Sequence, residues 1–136
     1  MRICLAGEGA QGISHADVLQ NIEGVEIDTL AGGIAADAEA FAYERGIPHW
    51  SLDLEECLSR DGVEAVILTT PNQVHCVQAE LALNMGKHVL VEIPMGISLA
   101  ESQRIAELEE RTGLVCMVCH TQRYNSAFRE VYRQVQ

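Results

Sequence analysis

Residues 2 to 15 read RICLAGEGAQGISH, a short apolar run that breaks into Gly7, Gly9 and Gly12 with the spacing G-x-G-x-x-G. No other stretch restricts the fold as much. Glycines at this spacing, behind a strand and ahead of a helix, ask for a tight turn inside a βαβ unit. In such a turn Gly7 permits the bend. Gly9 lets a pyrophosphate approach the backbone, and Gly12 lets the helix pack close to the strand. Ala10 and Gln11, between Gly9 and Gly12, are counted with the cofactor contacts, ahead of a helix whose N-terminus suits an anion.

The rest of the chain alternates in the same rhythm. Apolar runs at 2–6, 25–31, 64–70, 88–93 and 114–120 read as strands, with a short edge strand at 48–50. Helical spacing appears at 15–22, 35–46, 52–60, 73–85, 99–112 and 127–135, with Gly24, Gly46 and Gly86 as stops and Asp53 and Ser98 as caps. Near-continuous apolar strands alternating with helices predict an α/β fold. The expected architecture is a Rossmann-type, doubly wound parallel sheet of six strands with helices on both faces. In such sheets ligands lie beyond the carboxyl ends of the strands, so the residues just after each strand are the candidates for function.

The 136 residues make one domain's worth of chain, and the net charge of −11 comes with only 9 scattered Lys and Arg. That excludes a basic nucleic-acid or anionic-membrane surface. An anionic ligand must be held locally, by backbone N–H groups. Four apolar residues between Arg2 and the glycine turn are too few for a signal peptide, so the expected compartment is the cytoplasm. Five cysteines suit it. The pair in C-M-V-C (116–119) lies in an extended run, where residues three apart point to opposite faces about 10 Å apart. A disulfide needs Cα atoms within ~7 Å. Both thiols are therefore expected to be inert, with no metal.

The strand ends carry the chemistry. The second strand closes on LAGG, with Gly32 where an acid for the adenosine ribose is expected and Gly33 after it. Asp28 is four residues back down the strand, a residue with a local polar partner, and Asp37 supports the next helix start. A missing acid removes a repulsion against a 2′-phosphate, so NADP is favoured over NAD, its phosphate resting on N–H groups at that helix start. The fourth strand ends in TTPNQVH, where Thr69, Thr70, Pro71, Asn72 and His75 are placed to meet the cofactor. Glu92 at the end of the fifth strand is an acid in an apolar setting. The sixth ends in HTQRYN, grouping His120, Arg123, Tyr124 and Asn125. A base candidate, His120, beside Arg123 suits an anionic small-molecule substrate with a carbonyl or alcohol.

Together, TTPNQVH, GKHVLVEIP and HTQRYN behind a G-x-G-x-x-G resemble the Gfo/Idh/MocA oxidoreductases, along the whole chain. The resemblance implies an N-terminal NAD(P) domain, here residues 1–136 with the first helix toward a C-terminal substrate domain. The family's usual Glu-Lys-Pro, whose lysine lies near the reacting carbon, reads Glu92-Ile93-Pro94 here. NIEGVEI, VEIPM and TGLVCMVCHTQRYN further resemble a branch that shares Glu-Ile-Pro. That branch oxidises the cyclic hemiacetal of a carboxylated hydroxymuconate semialdehyde to 2-pyrone-4,6-dicarboxylate in protocatechuate degradation, usually with NADP. Two alternatives stay open: a sugar or inositol dehydrogenase of the same family, and a non-catalytic NAD(P)-binding module. The full-length protein is expected to be a homo-oligomer.

Overall fold

The computed structural model describes residues 1–136. Its strands are β1 (Arg2–Ala6), β2 (Glu26–Ala31), β3 (His49–Ser51), β4 (Val63–Leu68), β5 (His88–Val91) and β6 (Cys116–Val118). The helices are α1 (Ala10–Leu19), α2 (Ala35–Arg45), α3 (Leu54–Ser59), α4 (His75–Asn84), α5 (Leu99–Thr112) and α6 (Ser126–Gln134). Single 3₁₀ turns at Asn72–Val74 and Thr121–Tyr124 precede α4 and α6. All five strand pairings are parallel, in the order β3-β2-β1-β4-β5-β6. This is the expected doubly wound Rossmann-type sheet.

Strand alternation builds two cores from one sheet. Cys4 and Ala6 of β1 face one side, with Val66, Leu68, Val89 and Val91 of the neighbouring strands. There they meet Leu58 of α3, Ala79 and Leu83 of α4, and Ile105 and Leu108 of α5. Ile3 and Leu5 face the other side, with Leu30, Ala65 and Ile67, against Ala16 of α1 and Ala38, Phe41 and Ala42 of α2. The small residues on the helices bring them close to the sheet, which fixes where each strand end emerges.

Several boundaries move. α1 starts at Ala10, directly out of the turn, and not at His15. Gly12 is thus a helix-interior residue rather than part of a loop. β4, β5 and β6 stop short of their apolar runs, although the N–H groups of Thr69, Glu92 and Cys119 just beyond them still donate to Ala6, Leu68 and Val91 at the ends of neighbouring strands. The expected caps are in place: Asp53 accepts from Glu55 and Glu56, and Ser98 from Glu101.

Asp28 has the local partner expected of it. It is 1 % exposed in β2 and lies between the Arg2 and Arg60 guanidiniums, the latter at 2.9 Å. Burial pushes this carboxyl up, but hydrogen bonds from Arg60 and Arg2 outweigh it and hold it below the usual carboxylate range. Asp28 therefore serves the fold, far from the strand's carboxyl end. No helix is long and apolar enough to cross a membrane.

Candidate cofactor site

The chain leaves β1 toward β2 on one side and returns to β4 on the other, so a crevice opens between the carboxyl ends of β1 and β4. The glycine turn lines it. Gly7 has φ +105°, which L side chains rarely adopt, and its N–H donates to the Ala31 carbonyl at 2.9 Å. A Cβ at Gly7 would lie 2.7 Å from Thr69 Oγ1, and one at Gly12 would lie 2.0 Å from the Gly7 carbonyl oxygen. Both glycines are thus required by close packing, as their spacing predicts. Gly9 differs: a Cβ there would meet nothing within 4 Å. Its side faces open space at the start of α1, with exposed Ala10 and Gln11 next to it. That is where a pyrophosphate could approach.

Gly9→Val is accordingly expected to keep stability within about 0.5 kcal/mol, as for a surface site. Dinucleotide affinity should fall at least tenfold, about 1.4 kcal/mol. Thermal denaturation and calorimetric titration of the same sample check both halves; unchanged affinity would remove the turn from the binding site.

The β4 end departs from expectation. Thr69 is turned inward, its hydroxyl directed to the Ala6 and Gly7 carbonyls at 2.8 and 3.1 Å. It clamps the glycine turn. The Thr70 hydroxyl donates to Gln78 on α4. Of the residues expected at the cofactor along this edge, Pro71 and Asn72 are the exposed ones. His75 is fully buried, with Nδ1 2.8 Å from the Pro94 carbonyl and Nε2 2.7 Å from the Thr70 carbonyl. Both ring nitrogens are spent on backbone, so His75 ties the β4 and β5 exits together and does not reach a ligand. His75 and the Thr69 and Thr70 hydroxyls, expected at the cofactor, are thus each bonded within the chain.

Glu92 emerges from β5 toward α1. Its Oε1 lies 2.8 Å from His15 Nε2, and Cys119 Sγ lies 3.9 Å from the same nitrogen. The three ligating atoms all fall within 4.8 Å of one another, whereas Cys116 is outside the group. Burial, with Glu92 beside it, pushes the Cys119 thiol up to about 11; burial, with Glu109 nearby, does the same to Cys116. All five cysteines are free. His15 stands at the start of the helix expected over 15–22, but α1 begins earlier, at Ala10, and turns His15 toward β5.

The second missed residue is Glu8, between Gly7 and Gly9. Its carboxylate crosses to the β2–α2 turn and accepts from the Gly33 N–H at 2.8 and 3.0 Å and from the Ile34 N–H at 3.0 Å. Those are the N–H groups from which a 2′-phosphate was expected to be held. The available signal was an acid inside the glycine turn of a chain with none at the end of β2.

At the far edge, His120 follows β6, and Arg123 and Tyr124 lie on the 3₁₀ turn, all three exposed. Arg2, Arg45, Arg60, Arg104 and Arg133 form ion pairs; Arg123, like Arg111 and Arg129, is in none. Asn125 is spent differently, capping α6 through the Ala127 N–H at 2.9 Å. The structure therefore leaves two separate groups at the carboxyl edge: Gly9, Ala10, Gln11 and Asn72 over the switch point, and His120 with Arg123 beyond β6.

Residues 1–120 match the oxidoreductase family with an NAD-binding Rossmann fold, Gfo/Idh/MocA. The chain belongs to this family. Among curated Gfo/Idh/MocA relatives, it is 46% identical over 135 residues to 4-carboxy-2-hydroxymuconate-6-semialdehyde dehydrogenase of Sphingobium sp. strain SYK-6, covering 99% of this chain and 43% of that one. It is 32% identical over 136 residues to the NAD(+)-dependent scyllo-inositol 2-dehydrogenase of Bacillus subtilis, covering 99% and 40%. Among solved structures, it superposes on scyllo-inositol dehydrogenase of Lactobacillus casei, determined with NAD(H) and scyllo-inositol, with a TM-score of 0.92 at 23% identity, covering 99% and 40%. It superposes on the biliverdin reductase of Synechocystis, determined with biliverdin and NADP+, with a TM-score of 0.90 at 22% identity, covering 98% and 42%. The likeness to these two structures shows the fold. The chain spans about two fifths of the length of the curated relatives it matches.

Proposed function

We propose that residues 1–136 form the cofactor-binding part of a nicotinamide-dinucleotide-dependent dehydrogenase. Its substrate is the hemiacetal of 4-carboxy-2-hydroxymuconate-6-semialdehyde, oxidised to 2-pyrone-4,6-dicarboxylate. The observation that carries this reading is the 46% identity along nearly the whole chain to a dehydrogenase of that name. Free Arg123 and exposed His120 at the β6 end support it. When bound, the dinucleotide supplies the hydride acceptor. Gly9 and the N–H groups of Ala10 and Gln11 receive its pyrophosphate, and Asn72 its nicotinamide ribose. Arg123 offers a guanidinium fork to a carboxylate of the substrate, and His120 is placed to take the hydroxyl proton. Ile93, exposed where the family's lysine stands, supplies no proton acceptor. Oxidation of scyllo-inositol is the second reading, favoured by the Bacillus subtilis relative.

An assay of the full-length protein with both substrates separates the two. Arg123→Ala should raise KM for the dicarboxylate at least tenfold and leave turnover of a neutral polyol unchanged. Faster oxidation of scyllo-inositol than of the hemiacetal would overturn the first reading in favour of the second.

A further inference from the structure

We infer that Glu8 stands in for the acid missing at the end of β2 and makes this site selective for NAD over NADP. The inference rests on the glycine turn being a dinucleotide cradle, as proposed above.

Position 32 has no room for an acid of its own. A Cβ at Gly32 would lie 2.3 Å from the Ala38 Cβ, on a helix packed into the core. The same Cβ would lie 3.6 Å from Glu8 Oε1, and so would one at Gly33. The Glu8 carboxylate thus occupies the neighbourhood into which a side chain at the β2 end would project. It arrives there from the other wall of the cleft. The three bonds from Gly33 and Ile34 fix it in place, and they fall mainly on Oε1. Oε2 shares only the Gly33 N–H, at 3.0 Å, and keeps accepting capacity. A carboxylate held this way can accept from the 2′-hydroxyl of the adenosine ribose, the role an acid plays in NAD-binding members of this fold class.

The same arrangement works against a 2′-phosphate in two ways. The N–H groups at the start of α2 that could bind it are already bonded to Glu8. The dianion would also stand beside a fixed negative charge, with no Lys or Arg among residues 29 to 44 to offset it. Removing the acid from the β2 end therefore does not open the site to NADP, because the loop replaces it.

Calorimetric titration of residues 1–136 with NAD+ and with NADP+, for the wild type and Glu8→Gln, tests this. Glutamine keeps an oxygen acceptor for the Gly33 N–H and removes the charge, and circular dichroism confirms that it folds. Wild type should bind NAD+ at least tenfold more tightly than NADP+, and Glu8→Gln should narrow that ratio at least fivefold, mainly by tightening NADP+. Because the discrimination is electrostatic, it should also shrink in 1 M salt, where screening acts over about 3 Å rather than about 8 Å. Equal or tighter NADP+ binding by wild type, or a ratio unmoved by Glu8→Gln, overturns the role of Glu8 and leaves the cradle standing. Binding of neither dinucleotide overturns both.

Discussion

Gly12→Ala is expected to cost about 3 kcal/mol of stability, at the upper end for overpacking by a single methyl. For a domain of this size that lowers the melting midpoint by roughly 10 °C. Dinucleotide binding should be lost with it. The added Cβ would lie 2.0 Å from the Gly7 carbonyl oxygen and 3.0 Å from its carbon, with Thr69 Oγ1 at 3.3 Å on the other side. None of these is the free end of a flexible side chain. The first two are backbone, and the Thr69 hydroxyl is bonded to the Ala6 and Gly7 carbonyls. Either α1 moves away from β1, opening the Ala16 contact with the core, or the Gly7 turn unwinds. Both displace the N–H groups at the start of α1. The comparison with Gly9→Val is the informative one: that variant should lose affinity at full stability, Gly12→Ala should lose both. A Gly12→Ala protein that melts with the wild type would mean that α1 does not sit against the turn as described.

The contrast between these two glycines also shows what a sequence carries well and what it carries badly. Periodicity reports burial on a regular element, so the six strands, the parallel sheet and the caps at Asp53 and Ser98 were readable. Glycine spacing reports backbone approach, so the turn was readable too. The direction of a polar side chain at a strand end depends on what lies across the cleft, and local pattern is silent on that. Thr69 and His75 occupy positions suited to a ligand, yet both bond to backbone because the β1 and β5 exits pass within reach. The roles of Glu8 and His15 are hidden in the sequence for the same reason. Each meets its partner only through a contact distant in sequence, Glu8 with Gly33 and His15 with Glu92. Gly32 reports one wall of the cleft, and the Glu8 carboxylate that reaches the Gly33 and Ile34 N–H groups from the other wall leaves no trace in that local pattern.

Residues 1–136 expressed alone are expected to bind dinucleotide but to produce no NADH or NADPH from the semialdehyde hemiacetal. Hydride transfer needs donor and acceptor carbons about 3–3.5 Å apart in a site that excludes water. The groups placed here for substrate, His120 and Arg123, are exposed at the sheet edge, Arg123 on the 3₁₀ turn and His120 just before it. They can supply one wall of a pocket. Beside them α6 presents Phe128, Val131 and Tyr132, continued by Val135 at its C-cap, spaced along one helical stripe and each more than half exposed. A stripe of that kind on an isolated chain favours self-association. The expected behaviour is therefore binding at the switch point, concentration-dependent association through α6, and no turnover. Sedimentation at several concentrations reads the association, and absorbance at the reduced nicotinamide band reads the turnover. Turnover by residues 1–136 at a rate near that of a two-domain relative would show that the pocket is complete within this chain, and would overturn the assignment of these residues to the cofactor half alone.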